Sequence, residues 1–346
     1  MKKIWKRILS VGLCTLMLFS VLSGSASALS AKNYKGLKYD YYCYLGDSIP
    51  FGYGLVPKVN QWSPFSIGDR NKGSYPDLVG KVLEKNNRTT IQPAASSGSR
   101  MCDFRILLER GMKKKNPYDR ENDWYGMRHP ERTLVLRQKG PTICKWVKTA
   151  DLVTIQVGLN DITASLVNAA YATGLVDLDK LKNISELGDV VAYLSFALGN
   201  LSEDPNVLGN FLRVFYEEIE ELRTNSREVV KDLVKLAPKA DILVVGYHKP
   251  VAGLRVIPGT TASLLFTLVD EVFMSFNAFL ASTTEKYDNA YYVDAPDAPV
   301  FYPEGTSVID ILQDTDNFLL GVHPNAEGHK YIATCILDKL NEINKA

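Results

Sequence analysis

The feature that most constrains this chain is an alternation of short apolar runs with longer helical patterns. The runs fall at Tyr41–Leu45, Asp151–Val157, Ala240–Gly246 and Ala290–Asp294, each of strand length. In Leu152-Val153-Thr154-Ile155-Gln156-Val157 the β-branched residues dominate, as in a strand covered on both faces. From Phe211 onward, Phe215, Ile219, Leu222, Val229 or Val230, and Leu233 keep the rhythm of one helix face. The acids of Glu217–Glu221 occupy the other face, and Pro238 ends the pattern. Near the C-terminus, Pro324 suits the first turn of a helix running through Tyr331, Ile332 and Ile336. Parallel strands need crossover connections, usually helices. The expected class is α/β with a mainly parallel central sheet.

The first 28 residues read as a leader rather than as part of that fold. Lys2, Lys3, Lys6 and Arg7 precede an apolar run from Ile8 to Leu22, and Ala26-Ser27-Ala28 has the small-x-small form of a cleavage site. The run is shorter than the roughly 20 residues that span a bilayer. The expectation is a secreted mature chain beginning near Leu29, with no integral membrane segment. The whole chain carries 40 Lys+Arg against 39 Asp+Glu, and the leader takes only basic residues with it. A nucleic-acid partner is therefore not expected. Cys43, Cys102, Cys144 and Cys335 remain, in no C-x-x-C pair or His-rich cluster, so no metal site is expected. They read as small buried hydrophobes with room for one bridge, whose pairing stays open. Two stretches look inserted on the scaffold, Arg105–Lys148 and Ala164–Pro205, and Ala252–Leu280 adds further apolar surface. All three are candidates for pocket wall or plain core.

Four blocks carry chemistry. Leu45-Gly46-Asp47-Ser48 ends the first strand on a turn, where a parallel sheet opens its ligand crevice. Ala94-Ala95-Ser96-Ser97-Gly98-Ser99 puts a glycine among small residues, which lets a backbone N–H approach a ligand closely. Gly158-Leu159-Asn160-Asp161 follows the strongest strand pattern, and an asparagine there can offer its side-chain N–H to a developing oxyanion. Gly321-Val322-His323-Pro324-Asn325 places an imidazole at a helix start, with an ordinary pKa near 6.5 that suits proton transfer. The other histidines are His129 in the charged stretch, His248 at a strand end and His329 inside the last helix. Nothing in the setting of His248 marks it as a base. Taken singly, each block reads as an ordinary turn.

In this order the blocks resemble the GDSL or SGNH hydrolase family, from Leu45 to Ala333. Ser74-Tyr75-Pro76 and Ala150–Asp161 look similar to secreted bacterial lipases and esterases of that family. The resemblance implies a three-layer α/β/α, flavodoxin-like domain over residues 29–346. It also implies a serine ester hydrolase: Ser48 the nucleophile, His323 the general base, and the N–H groups of Ser48 and Gly98 with the Asn160 amide the oxyanion hole. No cofactor or metal is implied. The family usually has Asp three residues before the histidine, and here that residue is Leu320. Asp316 or Asp314 can supply an orienting acid from the loop, a backbone carbonyl can accept the ring N–H, or the chain is inactive. The carbonyl is preferred, because acids that far upstream need a particular loop conformation.

For substrate, the apolar stretches favour lipid or short- to medium-chain acyl esters. The alternatives are a carbohydrate esterase that removes acetyl groups from polysaccharide, with Trp62, Trp124 and Tyr125 for sugar stacking, and an inactive surface-binding member of the family.

Overall fold

The computed structural model describes residues 29, 31–55, 69–108, 132–177, 205–250, 261–302, 305–307 and 318–345. The strands are β1 (Tyr41–Gly46), β2 (Thr90–Ala95), β3 (Leu152–Gln156), β4 (Asp241–Val245) and β5 (Ala290–Val293). The helices are α1 (Ser48–Phe51), α2 (Tyr75–Asn87), α3 (Met101–Leu108), α4 (Arg132–Thr149), α5 (Leu159–Ala172), α6 (Pro205–Leu236), α7 (Thr261–Thr284), α8 (Phe318–Gly321) and α9 (Ala326–Ile343). The sheet has the order β2-β1-β3-β4-β5 and every pairing is parallel. Helix α2 packs on α9, while α6 packs on α3, α4, α5 and α7, giving a helical layer on each face. This is the expected α/β/α architecture.

All five residues of β3 are buried, as its β-branched composition predicts for a central strand. Strand β2 escapes the sequence reading because Thr90, Gln92 and Pro93 break its apolar pattern. It lies at the sheet edge, where a proline costs no ladder hydrogen bond. On α6 the predicted stripe from Phe211 to Leu233 is buried against the core. Pro324 does not open the last helix. Asn325 caps it, accepting from Gly328 N at 3.0 Å, and the helix begins at Ala326. A short amide side chain satisfies a first-turn N–H, which proline cannot do.

The C-terminal part of Arg105–Lys148 lies in α4, whose Ile143, Cys144 and Val147 enter the core; 109–131 lie outside the described residues. Within Ala164–Pro205 the described part is mainly the buried face of α5. In Ala252–Leu280, Val272, Phe273, Phe276 and Leu280 of α7 are core residues. The four thiols are unbridged, with Cys43, Cys102 and Cys144 buried. Among the described residues no helix is long and apolar enough to cross a membrane. The leader, His129, Trp62, Trp124 and Tyr125 lie outside the described residues.

Strand order reverses between β1 and β3, since the chain runs from β1 outward to β2 and then returns past β1 to β3. Ligands in open parallel sheets bind beyond the strand carboxyl ends at such a reversal. Both strands leave the sheet there through a glycine at φ 144°, Gly46 and Gly158. A Cβ on Gly46 would sit 2.2 Å from the Gln156 carbonyl oxygen, and one on Gly158 would sit 2.7 Å from the Phe276 ring. Only glycine fits either position.

Candidate active site

After Gly46 the chain turns at once into the four-residue helix α1. Asp47 is its N-cap, and Oδ1 accepts from Ile49 N at 3.0 Å. That bond leaves Ser48 at the first helical position with its side chain turned into the crevice. Ser48 Oγ lies 2.8 Å from His323 Nε2, across 275 positions of sequence. Both residues are 4% exposed, so the pair is nearly desolvated.

His323 is held from several sides. Its N–H donates to Leu320 O at 3.1 Å, and its carbonyl accepts from Phe301 N at 3.1 Å. The Tyr53 ring lies 4.7 Å from the imidazole, centroid to centroid. The Leu320 carbonyl therefore serves the main-chain N–H of His323. Asp314 and Asp316 lie outside the described residues.

Asn160 stands in the first turn of α5, and its Nδ2 donates to Ser99 O at 2.9 Å. A side-chain amide has a second N–H, which this bond leaves available. Gly98 takes φ 75° in the turn closed by Ser99 N donating to Ser96 O at 3.1 Å. Ser96 N in turn donates to Gly46 O at 2.9 Å, so the Gly98 turn is fixed to the end of β1. Ser48, Gly98, Asn160 and His323 are thus gathered at one end of the sheet. Asp161 secures the Asn160 turn from below: it accepts from Met101 N at 2.8 Å and lies 3.6 Å from Arg100.

Three residues at this rim are not legible in the sequence as site residues. Asp47 Oδ2 accepts from the Tyr247 hydroxyl at 2.5 Å, and that hydroxyl accepts from Leu159 N at 3.1 Å. Asn277 of α7 pairs with the Tyr247 backbone through both its amide atoms, at 2.8 and 2.7 Å. Burial pushes the Asp47 carboxyl up to about 7, against hydrogen bonds from Tyr247 and the N–H groups of Ile49, Gly158 and Leu159. Asp161 also rises to about 7, through burial opposed by the Arg100 charge. His248 and His329 are sealed in the core, and burial lowers His248 to about 4 and His329 to about 3.

The depressed histidine carries a prediction. His329 is fully buried and its Nδ1 accepts from Tyr75 N at 3.2 Å. Unfolding releases it to an ordinary pKa near 6.5, so the unfolded chain binds the proton first. Its contribution is complete above 6.5 and is lost as pH falls from there toward about 3. Asp47 and Asp161 act oppositely, holding protons in the fold up to about 7. The whole-protein profile therefore mixes the two effects, whereas comparison with His329→Gln isolates one. Urea unfolding should show the variant less stable at pH 7, the gap closing on acidification by roughly 1.4 kcal/mol per pH unit. A constant gap would mean that His329 titrates alike in both states.

Comparison with known proteins places these features in a family. The model of the GDSL-like Lipase/Acylhydrolase family matches residues 44–331. No curated protein sequence matches significantly. Among solved structures, an extracellular lipase from Streptomyces rimosus is similar at 18% identity and TM-score 0.47, covering 87% of this chain and 98% of that one. A phospholipase A1 from Streptomyces albidoflavus is similar at 16% identity and TM-score 0.45, covering 88% and 99%. A catalytic mutant of an acetylxylan esterase from Geobacillus stearothermophilus is similar at 13% identity and TM-score 0.40, covering 87% and 94%. The family match begins at the strand before Ser48 and ends within the helix after His323, so it takes in the whole rim: this chain belongs to the GDSL-like lipase/acylhydrolase family.

Proposed function

We propose that the protein is an exported carboxylic ester hydrolase working through an acyl-serine intermediate on lipid or short- to medium-chain acyl esters. The observation that carries this reading is the 2.8 Å contact of Ser48 Oγ with His323 Nε2 at the strand-order reversal. With its proton on Nδ1, His323 takes the hydroxyl proton as Ser48 Oγ bonds to the ester carbonyl carbon. The carbonyl electron pair moves onto oxygen, toward the Ser48 and Gly98 N–H groups and the Asn160 amide. The intermediate collapses, the alkoxide leaves with the proton from His323, and an acyl-serine remains. Water then enters, gives its proton to His323 and attacks the acyl carbon; collapse releases the carboxylic acid and returns the proton to Ser48. Export is supported by the charged, apolar and small-residue segments of the first 28 positions. The acyl preference is supported by the apolar composition of Ala164–Leu201 and Ala252–Leu280 in the sequence.

A chain-length series of chromogenic esters tests both parts. Turnover is expected to peak above acetyl and to vanish in Ser48→Ala. A sharp optimum at acetyl would replace the substrate class with that of a deacetylase. Equal, negligible turnover by both proteins would leave a non-catalytic binding protein.

A further inference from the structure

The exit of β4 lies outside the four blocks, yet it touches three of them. Tyr247 is fully buried, and burial beside Asp47 holds its phenol well above the usual range, so it remains a donor. Its hydroxyl donates to Asp47, the neighbour of Ser48, and accepts from the N–H of Leu159, the neighbour of Asn160. The next residue, His248, is 2% exposed and has Nε2 2.9 Å from the carbonyl oxygen of Val322, the neighbour of His323. A carbonyl only accepts, so Nε2 carries the proton and Nδ1 does not while the ring is neutral. That Nδ1 is buried without a partner among the described residues. Leaving such an atom unpaired destabilises the fold. A leucine at this position would avoid that cost but would lose the bond to Val322.

The pair is itself fixed before it touches anything. Asn277 locks the Tyr247 backbone on both sides. Gln156 Nε2 donates to Gly246 O at 2.8 Å, joining the end of β4 to the end of β3. Gly246 N donates to Val293 O at 2.9 Å, joining it to β5. A rigid dipeptide that bonds to the immediate neighbours of Ser48, Asn160 and His323 sets their mutual distances.

We infer that Tyr247 and His248 are positioning residues for the ester hydrolysis proposed above: Tyr247 aligns the nucleophile turn with the Asn160 turn, and His248 sets His323 through the Val322 carbonyl. The inference rests on that reading of the site. Misplacing reacting groups by about 1 Å costs on the order of 10²-fold, and each arm should approach that loss.

The two arms have different signatures. Tyr247→Phe keeps the ring and removes the bridge, so kcat is expected to fall about 10–100-fold with KM unchanged. Inactivation by a phosphonate ester, which mimics the tetrahedral state, should slow in parallel. His248→Leu is expected to lower kcat by a similar 10–100-fold factor and to move the acid limb of the pH–rate profile. His248→Asn, whose amide can donate to Val322, should restore part of the rate. Nuclear magnetic resonance titration of the His323 ring reads the second arm without turnover, and His248→Leu should shift its midpoint while Tyr247→Phe leaves it in place. His329 senses charge on both His323 and His248, so its signal must be followed too. Full activity in both variants, or losses that follow thermal stability alone with an unmoved pH profile and His323 midpoint, would overturn the inference. If the wild type hydrolyses no ester, the functional reading fails, and the titration still decides the His248 arm.

Discussion

Ser48→Ala should lower kcat on any ester the wild type accepts by about 10⁴–10⁶-fold, with the fold intact. Among the described residues of the rim, this hydroxyl is the group that can form the acyl bond while sharing its proton with His323 Nε2. Without it, the remaining donors can polarise a carbonyl but nothing covalent follows. The alanine fits, because Ser48 starts a four-residue helix whose cap comes from Asp47 rather than from its own side chain. The stability cost is confined to leaving His323 Nε2 without its partner, about 1–3 kcal/mol if no water replaces the hydroxyl. His323→Ala should give a loss of similar size, and the double variant should be hardly worse than either, because the two act as a unit. Steady-state kinetics on the three proteins, with circular dichroism to follow folding, checks this. Independent, multiplying losses would mean that the contact is not the reacting pair.

Much of the proposed pair is legible in the amino-acid order itself, for a physical reason. A nucleophile must stand where a strand ends and a helix begins, and a base must stand in a loop that keeps its ring within reach of the crevice. Both conditions leave local marks, as in the turn after Leu45 and in the segment before Asn325. The same reasoning places His329 inside a helix, as the structure has it; its complete burial is a finding of the fold. What links the blocks leaves no such mark. Tyr247 meets Asp47 across 200 positions and His248 meets Val322 across 74, through contacts that exist only once β4 lies beside β3. Asp47 is hidden differently: aspartate in a turn before a short helix ordinarily caps it, and it does. Its other oxygen does the less expected work. Strand β2 is hidden because edge position, which excuses Pro93, is a property of the sheet and not of the segment.

The second large effect belongs to Asn160→Ala, for which kcat is expected to fall about 10²–10³-fold while KM stays near wild type. The ester carbonyl is nearly neutral in the ground state, so an N–H donor gains most when the oxygen becomes an alkoxide. In the proposed role Asn160 suits that difference, because its bond to Ser99 O holds the amide in one orientation and commits only one of its two N–H groups. Alanine also removes the tie to the Ser99 turn, where Gly98 lies, so two donors are disturbed together. Asn160→Asp separates these effects. A carboxylate of the same shape cannot donate to Ser99 O or to the oxyanion, and its charge opposes the alkoxide. Its loss should therefore exceed that of alanine. Binding of the amide analogue of the best ester, which keeps the carbonyl oxygen and turns over slowly, should be nearly the same in wild type and Asn160→Ala, since little oxyanion develops in the bound ground state. Were the alanine variant to lose affinity for that analogue in proportion to its rate, Asn160 would be a ground-state binding residue, and the oxyanion would rest on the Ser48 and Gly98 N–H groups alone.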